Sequence, residues 1–362
     1  MFYRTAESVS PKHPDKLCDQ ISDAILDAYL AKDPDSRVAV EACGGHGVVF
    51  VVGEVTSKAG DVDIEKIVKR IAGSDLEIHT KIVKQSPEIA QGVDAGGAGD
   101  QGIMIGYATD ETPEMLPREV VLSRNLNKYI YAKHPYDGKT QITIAPDGTI
   151  SSIVASFQNV SKTELKQLVK EFIVKNKLKG TPKLSSEDRK LGRAPLSVSE
   201  EDSSESSTGI ELHINPAGDW TQGSFDADTG LTGRKLIIDN YGPRIPIGGG
   251  CYSGKDPSKV DRSAAYMARR IAVDYLKKLK AAEKHLGLEG DGTPHEVLVR
   301  LAYAIGYDQP LEKTVIIDGH AEEITGYDLS PNGIIDYLKL KRPIYERTAR
   351  YGHYGHAFPW DD

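Results

Sequence analysis

The chain has few cysteines, no long apolar run and no excess of positive charge. Cys18, Cys43 and Cys251 are its only cysteines, they lie far apart, and no C-x-x-C occurs. That argues against a disulfide framework or a zinc ribbon. Unpaired thiols fit a reducing, cytoplasmic setting. The opening stretch MFYRTAESVSPKHPDK contains no apolar core of the kind a signal peptide needs. The longest apolar run, Val48 to Val52, is far short of the ~20 residues that span a bilayer. Basic residues number 45 against 53 acidic ones, a net charge of −8, which argues against a general nucleic-acid binder while leaving room for a local basic cleft. Signatures of covalent or metal-protease chemistry are missing too. There is no G-x-S-x-G, no H-E-x-x-H and no G-x-G-x-x-G after a strand. His353 and His356 form an H-x-x-H with no third ligand nearby, so no metal is read there.

What is present describes an ordinary globular chain. Apolar residues make up 39% and charged residues 27% of 362, a length that suits two or three domains. Pro14 suits the first position of a helix, and Leu17, Ile21, Ala24, Ile25 and Ala28 continue it at helical spacing. Arg37 to Cys43 and Val48 to Thr56 read as strands joined across Gly44 to Gly47. Further helices are expected over 63–72, 162–177, 260–286 and 333–340. Strands are expected over 141–144, 150–156, 211–215, 235–240 and 314–318. Gln91 to Gly102 holds five glycines and reads as a mobile loop. Leu184 to Gly209 is polar, serine-rich and acidic, and reads as an exposed insertion. Helices alternate with strands, some of them in hairpins, which predicts layered α+β domains.

The strongest chemical signal is Gly248 to Lys259. Gly249 to Lys255 satisfies G-x-x-x-x-G-K, but Asp256 stands where a P-loop needs Ser or Thr. Glycines, a helix N-terminus, Lys255 and Lys259 nevertheless supply the parts of a phosphate cradle. The plainer reading is a glycine turn capped by Asp256. Ser10 to Lys16 and Ser253 to Lys259 both fit S-x-K-x-P-x-K, by chance or by duplication. Gly230 to Lys235 is a second glycine-flanked basic segment, preceded by Asp226 and Asp228; a strand starting at Lys235 would put Arg234 at a sheet edge. Asp15, Asp19, Asp23 and Asp27 recur at i, i+4, where like charges repel, so a solvated face is the default expectation. Asp15, in the first turn, is also a plausible magnesium ligand, and His13 a donor to the same phosphates. Glu41 and Glu54 sit inside valine-rich strands, where exposure is the commoner explanation. Lys139 suits a turn, and Trp220 suits either a core position or a platform for a base.

Together several segments resemble the methionine adenosyltransferases, or S-adenosylmethionine synthetases. They are Glu7 to Ser10 with His13 to Lys16, Gln85 to Pro87, Gly97 to Gly102, Gly230 to Lys235, Gly248 to Ser263, Tyr351 to His353 and Phe358 to Trp360. They run in family order along nearly the whole chain. The resemblance implies conversion of ATP, L-methionine and water to S-adenosylmethionine, phosphate and diphosphate. It implies triphosphate contacts for His13, Lys139, Arg234, Lys235 and Lys255, and a nucleotide site lined by Asp137, Asp219, Trp220, Asp228 and Cys251. It implies methionine contacts for Glu54, Gln85, Asp228 and Lys259. Magnesium would be held by Asp15 and Asp261, and potassium by Glu41. The implied fold is three similar α/β layers about a pseudo-threefold axis, with sheets packing across a homodimer or homotetramer and active sites between subunits. The implied limits are 1–88, a loop at 89–102, a central domain at 103–220 and a C-terminal domain at 221–362. Asp219-Trp220 stands where many members carry Arg-Phe. Two other classes of reading are an ATP-dependent kinase or phosphatase using the same cradle, and an inactive nucleotide-binding subunit.

Overall fold

The computed structural model describes residues 2–86, 96–181, 209–287 and 293–362. In chain order the elements begin with β1 (Arg4–Val9), α1 (Pro14–Leu30), β2 (Arg37–Gly45), β3 (Val48–Thr56), α2 (Ile64–Ala72) and β4 (Glu77–Val83). Next come β5 (Gly102–Thr109), α3 (Arg118–Tyr131), β6 (Gly138–Ile144), β7 (Ile150–Phe157), α4 (Lys162–Lys175) and β8 (Glu211–Ile214). The chain closes with β9 (Gly230–Leu231), α5 (Leu236–Asp239), α6 (Val260–Leu286), β10 (Glu296–Tyr303), β11 (Glu312–Ile317), β12 (His320–Glu323) and α7 (Pro331–Leu338).

The strands form three four-stranded sheets, ordered β1-β6-β7-β8, β12-β11-β10-β5 and β4-β3-β2-β9. Each sheet takes a hairpin that follows a long helix: β2-β3 after α1, β6-β7 after α3, β10-β11 after α6. In two sheets the hairpin is followed by a helix and a parallel strand, β4 or β8, because parallel pairing requires a crossover. In the third the last strand closes an antiparallel meander instead. The fourth strand of every sheet comes from elsewhere in the chain. The strand just before α1 joins the sheet of β6, the strand before α3 joins that of β10, and β9, which lies before α6, joins β2. The three layers are therefore laced together in a cycle.

Alternation along the strands sets what each face does. Val38, Val40, Ala42, Val49 and Val51 point inward and are at most 3% exposed. Phe50 and Val52 occupy the alternate positions of β3 and are about half exposed, 48% and 49%. With Val83 and Leu231 they leave this sheet an uncovered apolar face, on which Glu41 also stands exposed. The larger core joins α1, α6 and the sheets built on β2 and β10; a smaller one joins α3, α4 and the β6-β7 hairpin.

Several expectations are met with small shifts of boundary: α1, β2, β3, α2, the β6-β7 hairpin, α4, β8, α6, β11 and α7. Others need correction. Residues 235–240 do not form a strand. Leu236–Asp239 is a helical turn, because Lys235 and Asp239 are tied at its two ends to acid and base on α1. Arg234 consequently follows the edge strand β9 rather than starting a strand. In the second S-x-K-x-P-x-K segment Pro257 stands ahead of the helix rather than at its first position, where Pro14 stands in α1; α6 begins at Val260 with Lys259 as N-cap. Asp256 instead closes a turn, accepting from Ser258 N and reaching across to Val38 N. The lysines do not repeat either: Lys12 binds the Ile71 carbonyl, and Lys16 is wholly buried. The aspartate series is not solvated. Every residue from Pro14 to Leu26 is buried, including Asp15, Asp19 and Asp23. The strands β1, β4, β5, β9, β10 and β12 and helix α3 are additional to the elements expected from the sequence. The insertion over 184–209, up to residue 208, and residues 91–95 of the glycine loop lie outside the described residues.

Candidate active site

One group of candidate residues collects at the N-terminus of α1. His13 is the N-cap, and its Nδ1 accepts the Asp15 amide at 3.2 Å, which leaves Nε2 to carry the proton. Burial, then the charges of Lys235 and Lys139, push its pKa down to about 3, so the ring is neutral at pH 7. The Asp15 carboxylate gathers its partners from more than two hundred residues away. Oδ1 accepts Leu231 N at 2.9 Å, Oδ2 accepts Lys235 Nζ at 2.5 Å, and Arg234 Nε lies 3.4 Å from Oδ1. Burial alone would raise the Asp15 pKa; the Lys235 and Leu231 bonds outweigh it and hold the pKa below the ordinary carboxylate value. This convergence requires glycine at 230, where a Cβ would lie 2.2 Å from the Pro14 carbonyl. Lys139, exposed on β6, and Asp228, exposed before β9, are close enough to act electrostatically on His13. Asp137 is buried beside them, and its Oδ2 accepts Ser224 N at 2.9 Å. Burial raises the Asp137 pKa against the pull of its amide bonds.

A second group is built on the turn before α6. Lys255 Nζ binds Asp261 Oδ2 at 2.5 Å, and Lys259 binds Asp256. Burial works against the Lys255 charge, but its bond to the Asp261 carboxylate opposes burial, and the pKa stands above the ordinary lysine value. The backbone here is tightly constrained: Gly254 has φ +80°, and a Cβ on it would meet the Val40 carbonyl at 1.9 Å. Cys251 is half-buried, and burial raises its pKa, so it stands as a thiol. The two groups meet where a Cβ on Gly233 would contact Cys251 Sγ at 3.1 Å.

Other expected residues lie apart from these groups or have different partners. Asp219 accepts Lys162 N at 2.8 Å and Asn215 Nδ2 at 3.0 Å, so it caps the start of α4 and fastens a turn. Trp220 is partly buried, and its Nε1 donates to Ser156 Oγ at 3.1 Å. Glu54 is half-buried on β3, and Gln85 follows β4. Residues not foreseen as functional include Lys16, Asp19, Asp23, Asp239 and Arg262, a buried charge network directly behind both groups. Lys16 Nζ lies 2.9 Å from Asp19 and 2.6 Å from Asp239, and Arg262 lies 2.6 Å from Asp23. The i, i+4 aspartate spacing was the available signal; its partners are too distant in sequence to be seen.

Chemically, these are fixed cations and backbone amides rather than an activated nucleophile. The one histidine among them is neutral and capped, and the nearby cysteine is a thiol. Such an arrangement suits binding a polyanion and stabilising charge on a leaving group. The fold and site thus define a three-sheet α+β protein with a centre lined by cations and backbone amides. Models of the N-terminal, central and C-terminal domains of S-adenosylmethionine synthetase match residues 1–87, 95–220 and 222–362. S-adenosylmethionine synthase of Thermus thermophilus is 39% identical, covering 99% of this chain and 95% of that one. The synthases of Treponema denticola and Kosmotoga olearia are 40% and 41% identical at the same coverage. The chain belongs to the S-adenosylmethionine synthetase family, the methionine adenosyltransferases, a class of transferase.

Proposed function

We propose that this chain makes S-adenosylmethionine, phosphate and diphosphate from ATP, L-methionine and water. A lone pair on the thioether sulfur forms the S–C5′ bond while the C5′–O bond breaks and its electron pair leaves on the triphosphate. Water then splits the triphosphate. A thioether loses no proton on attack, so the reaction needs alignment and charge stabilisation rather than a general base. The observation that carries this reading is the pair of cation groups, one anchored on buried Asp15 and the other on half-buried Asp261, with no nucleophile–base pair beside them among the described residues.

Arg234, Lys235, Lys139 and Lys255 would hold the triphosphate, with neutral His13 donating from Nε2. Asp137, Asp228, Cys251 and Trp220 would line the nucleoside end; Asp219, committed to capping α4, is its weakest member. Glu54, Gln85, Asp228 and Lys259 would contact methionine. Asp15 and Asp261 fit magnesium by their chemistry, as hard carboxylate donors each paired with a lysine that would hold phosphate. Magnesium bound there would neutralise charge on the phosphates. Glu41, an exposed carboxylate on β2, would serve potassium. The uncovered apolar face of the β2-β3 sheet supports packing of two copies, with active sites between them. The cyclic lacing of the three sheets supports a pseudo-threefold arrangement of the domains at 1–88, 103–220 and 221–362. Three free cysteines fit a cytoplasmic location.

Incubation with ATP, methionine, magnesium and potassium, read by mass spectrometry, tests the reading. The expected result is a sulfonium product with phosphate and diphosphate, dependent on both substrates. ADP without sulfonium product would overturn it.

A further inference from the structure

Asp15, Asp19, Asp23 and Asp27 lie one turn apart along α1, and each carboxylate accepts a main-chain amide from a segment remote in sequence. Asp15 takes Leu231 N at 2.9 Å, Asp19 takes Gly233 N at 2.8 Å and Asp23 takes Gly254 N at 2.8 Å. Asp27 takes Tyr345 N at 3.0 Å and Glu346 N at 2.9 Å. Burying a carboxylate is costly unless it is paired, and the two middle rungs each have a buried cation: Lys16 on Asp19 and Arg262 on Asp23.

The two middle rungs bracket the cationic segments. Gly233, held by Asp19, immediately precedes Arg234 and Lys235. Asp239, at the end of the turn that follows them, is held by Lys16, which also holds Asp19. On the other side, Gly254, held by Asp23, immediately precedes Lys255. Arg262, which follows Asp261, is held by the same Asp23 oxygen. Neither Asp19 nor Asp23 reaches solvent, and each is 0% exposed.

We propose that Asp19 and Asp23 are positioning residues: through the Gly233 and Gly254 amides they place Arg234–Lys235 and Lys255–Asp261 from one rigid helix. This rests on the synthetase reading of the site. A displacement of about 1 Å in an aligned reaction can cost a factor on the order of 100, so the amide anchors act on turnover, not only on stability.

The test compares Asp19→Asn with Asp19→Leu and Asp23→Asn with Asp23→Leu. Asparagine keeps an oxygen for the amide and loses the charge; leucine loses both. Thermal unfolding reports stability, and steady-state kinetics on folded protein report kcat and KM. The expected result is that leucine lowers kcat at least about tenfold with KM for methionine changed less than about threefold, and that asparagine recovers most of the loss although both variants lower the melting temperature. Equal kcat for the asparagine and leucine variants, or a leucine kcat matching wild type, would overturn the proposal. If wild type forms no sulfonium product, the synthetase reading fails by itself. The anchors are then judged by affinity for inorganic tripolyphosphate, weakened by leucine and recovered by asparagine if the proposal holds and unchanged if it fails. If a leucine variant does not fold, amide exchange in wild type decides: protection of Gly233 and Gly254 matching the middle of α1 is expected, and exchange as fast as an open turn would refute the anchors.

Discussion

The two cationic segments achieve the same end by different means. Lys255 is neutralised by Asp261, six residues away, across the turn that opens its own helix. Lys235 is paired with Asp15, some 220 residues away at the start of a different helix, and Arg234 shares the same carboxylate. The first pair closes within one turn of chain, between Lys255 and Asp261. The second exists only once β9 has docked against β2 and Gly230 against Pro14. Local and remote anchoring also differ in exposure. The Lys255 and Asp261 side chains are 23% and 13% exposed, whereas Asp15 is 2% exposed.

This contrast can be broken or sharpened by experiment. The largest effect is expected from Arg262→Met, which leaves Asp23 buried without its cation. Denaturant unfolding should show a loss of about 3–5 kcal/mol. A loss below about 1 kcal/mol would mean that the second segment supports itself without α1. Next, Lys255→Met and Lys235→Met should each slow turnover by about 2.7–4 kcal/mol in activation free energy, the usual effect of removing one donor to developing charge. Their stabilities should differ. Lys235→Met strands a buried carboxylate and destabilises the fold, while Lys255→Met breaks a half-open pair and should cost no more than about 1 kcal/mol. Equal losses would erase the distinction between local and remote anchoring.

The helix that carries both anchors titrates oppositely at its two ends. Burial raises the Asp27 pKa to about 7 from 3.8, overcoming two amide bonds that favour the charged form. Between those values the folded state binds the extra proton. Wild-type stability, relative to Asp27→Asn, should therefore fall as pH rises from about 4 to about 7 and then level off, by at most about 1.4 kcal/mol per unit. Asp15 has a depressed pKa, so its contribution is present at neutral pH and lost as pH falls below the ordinary carboxylate range. Chemical denaturation across pH measures both. The smallest expected change is at His13, held neutral down to about pH 3. Nitrogen-detected NMR of the free protein should show one Nε2-protonated tautomer from about pH 5 to about pH 8. A titration midpoint within that interval would remove the neutral donor from the proposed site.

Much of the fold was legible where the pattern was local. Pro14 with a capping His13 marked α1, and the alternating valines marked β2 and β3. Leu236 to Asp239 was misread because Leu-Ile-Ile favours a strand by propensity, while ties at Lys235 and Asp239 impose a helical turn. The aspartate series is visible as spacing but not as burial, since its partners at 231, 233, 254, 262 and 345 are distributed over the C-terminal half. Asp219 joins the nucleotide residues only through the resemblance; its hydrogen bonds to Lys162 N and Asn215 follow from the tertiary structure.

The order of side chains by itself determined α1, α2, α4, α6 and the β2-β3 and β6-β7 hairpins, the glycine-lysine turn before α6 and the presence of cations suited to a polyanion, because periodicity, capping and turn chemistry act over a few residues. Tertiary structure alone decided that an acidic stripe is interior rather than wet, and that Arg234 and Lys235 stand on Asp15. Those outcomes depend on which distant amide or cation fills each carboxylate's empty positions, and only the docking of the three laced sheets brings them within bonding distance.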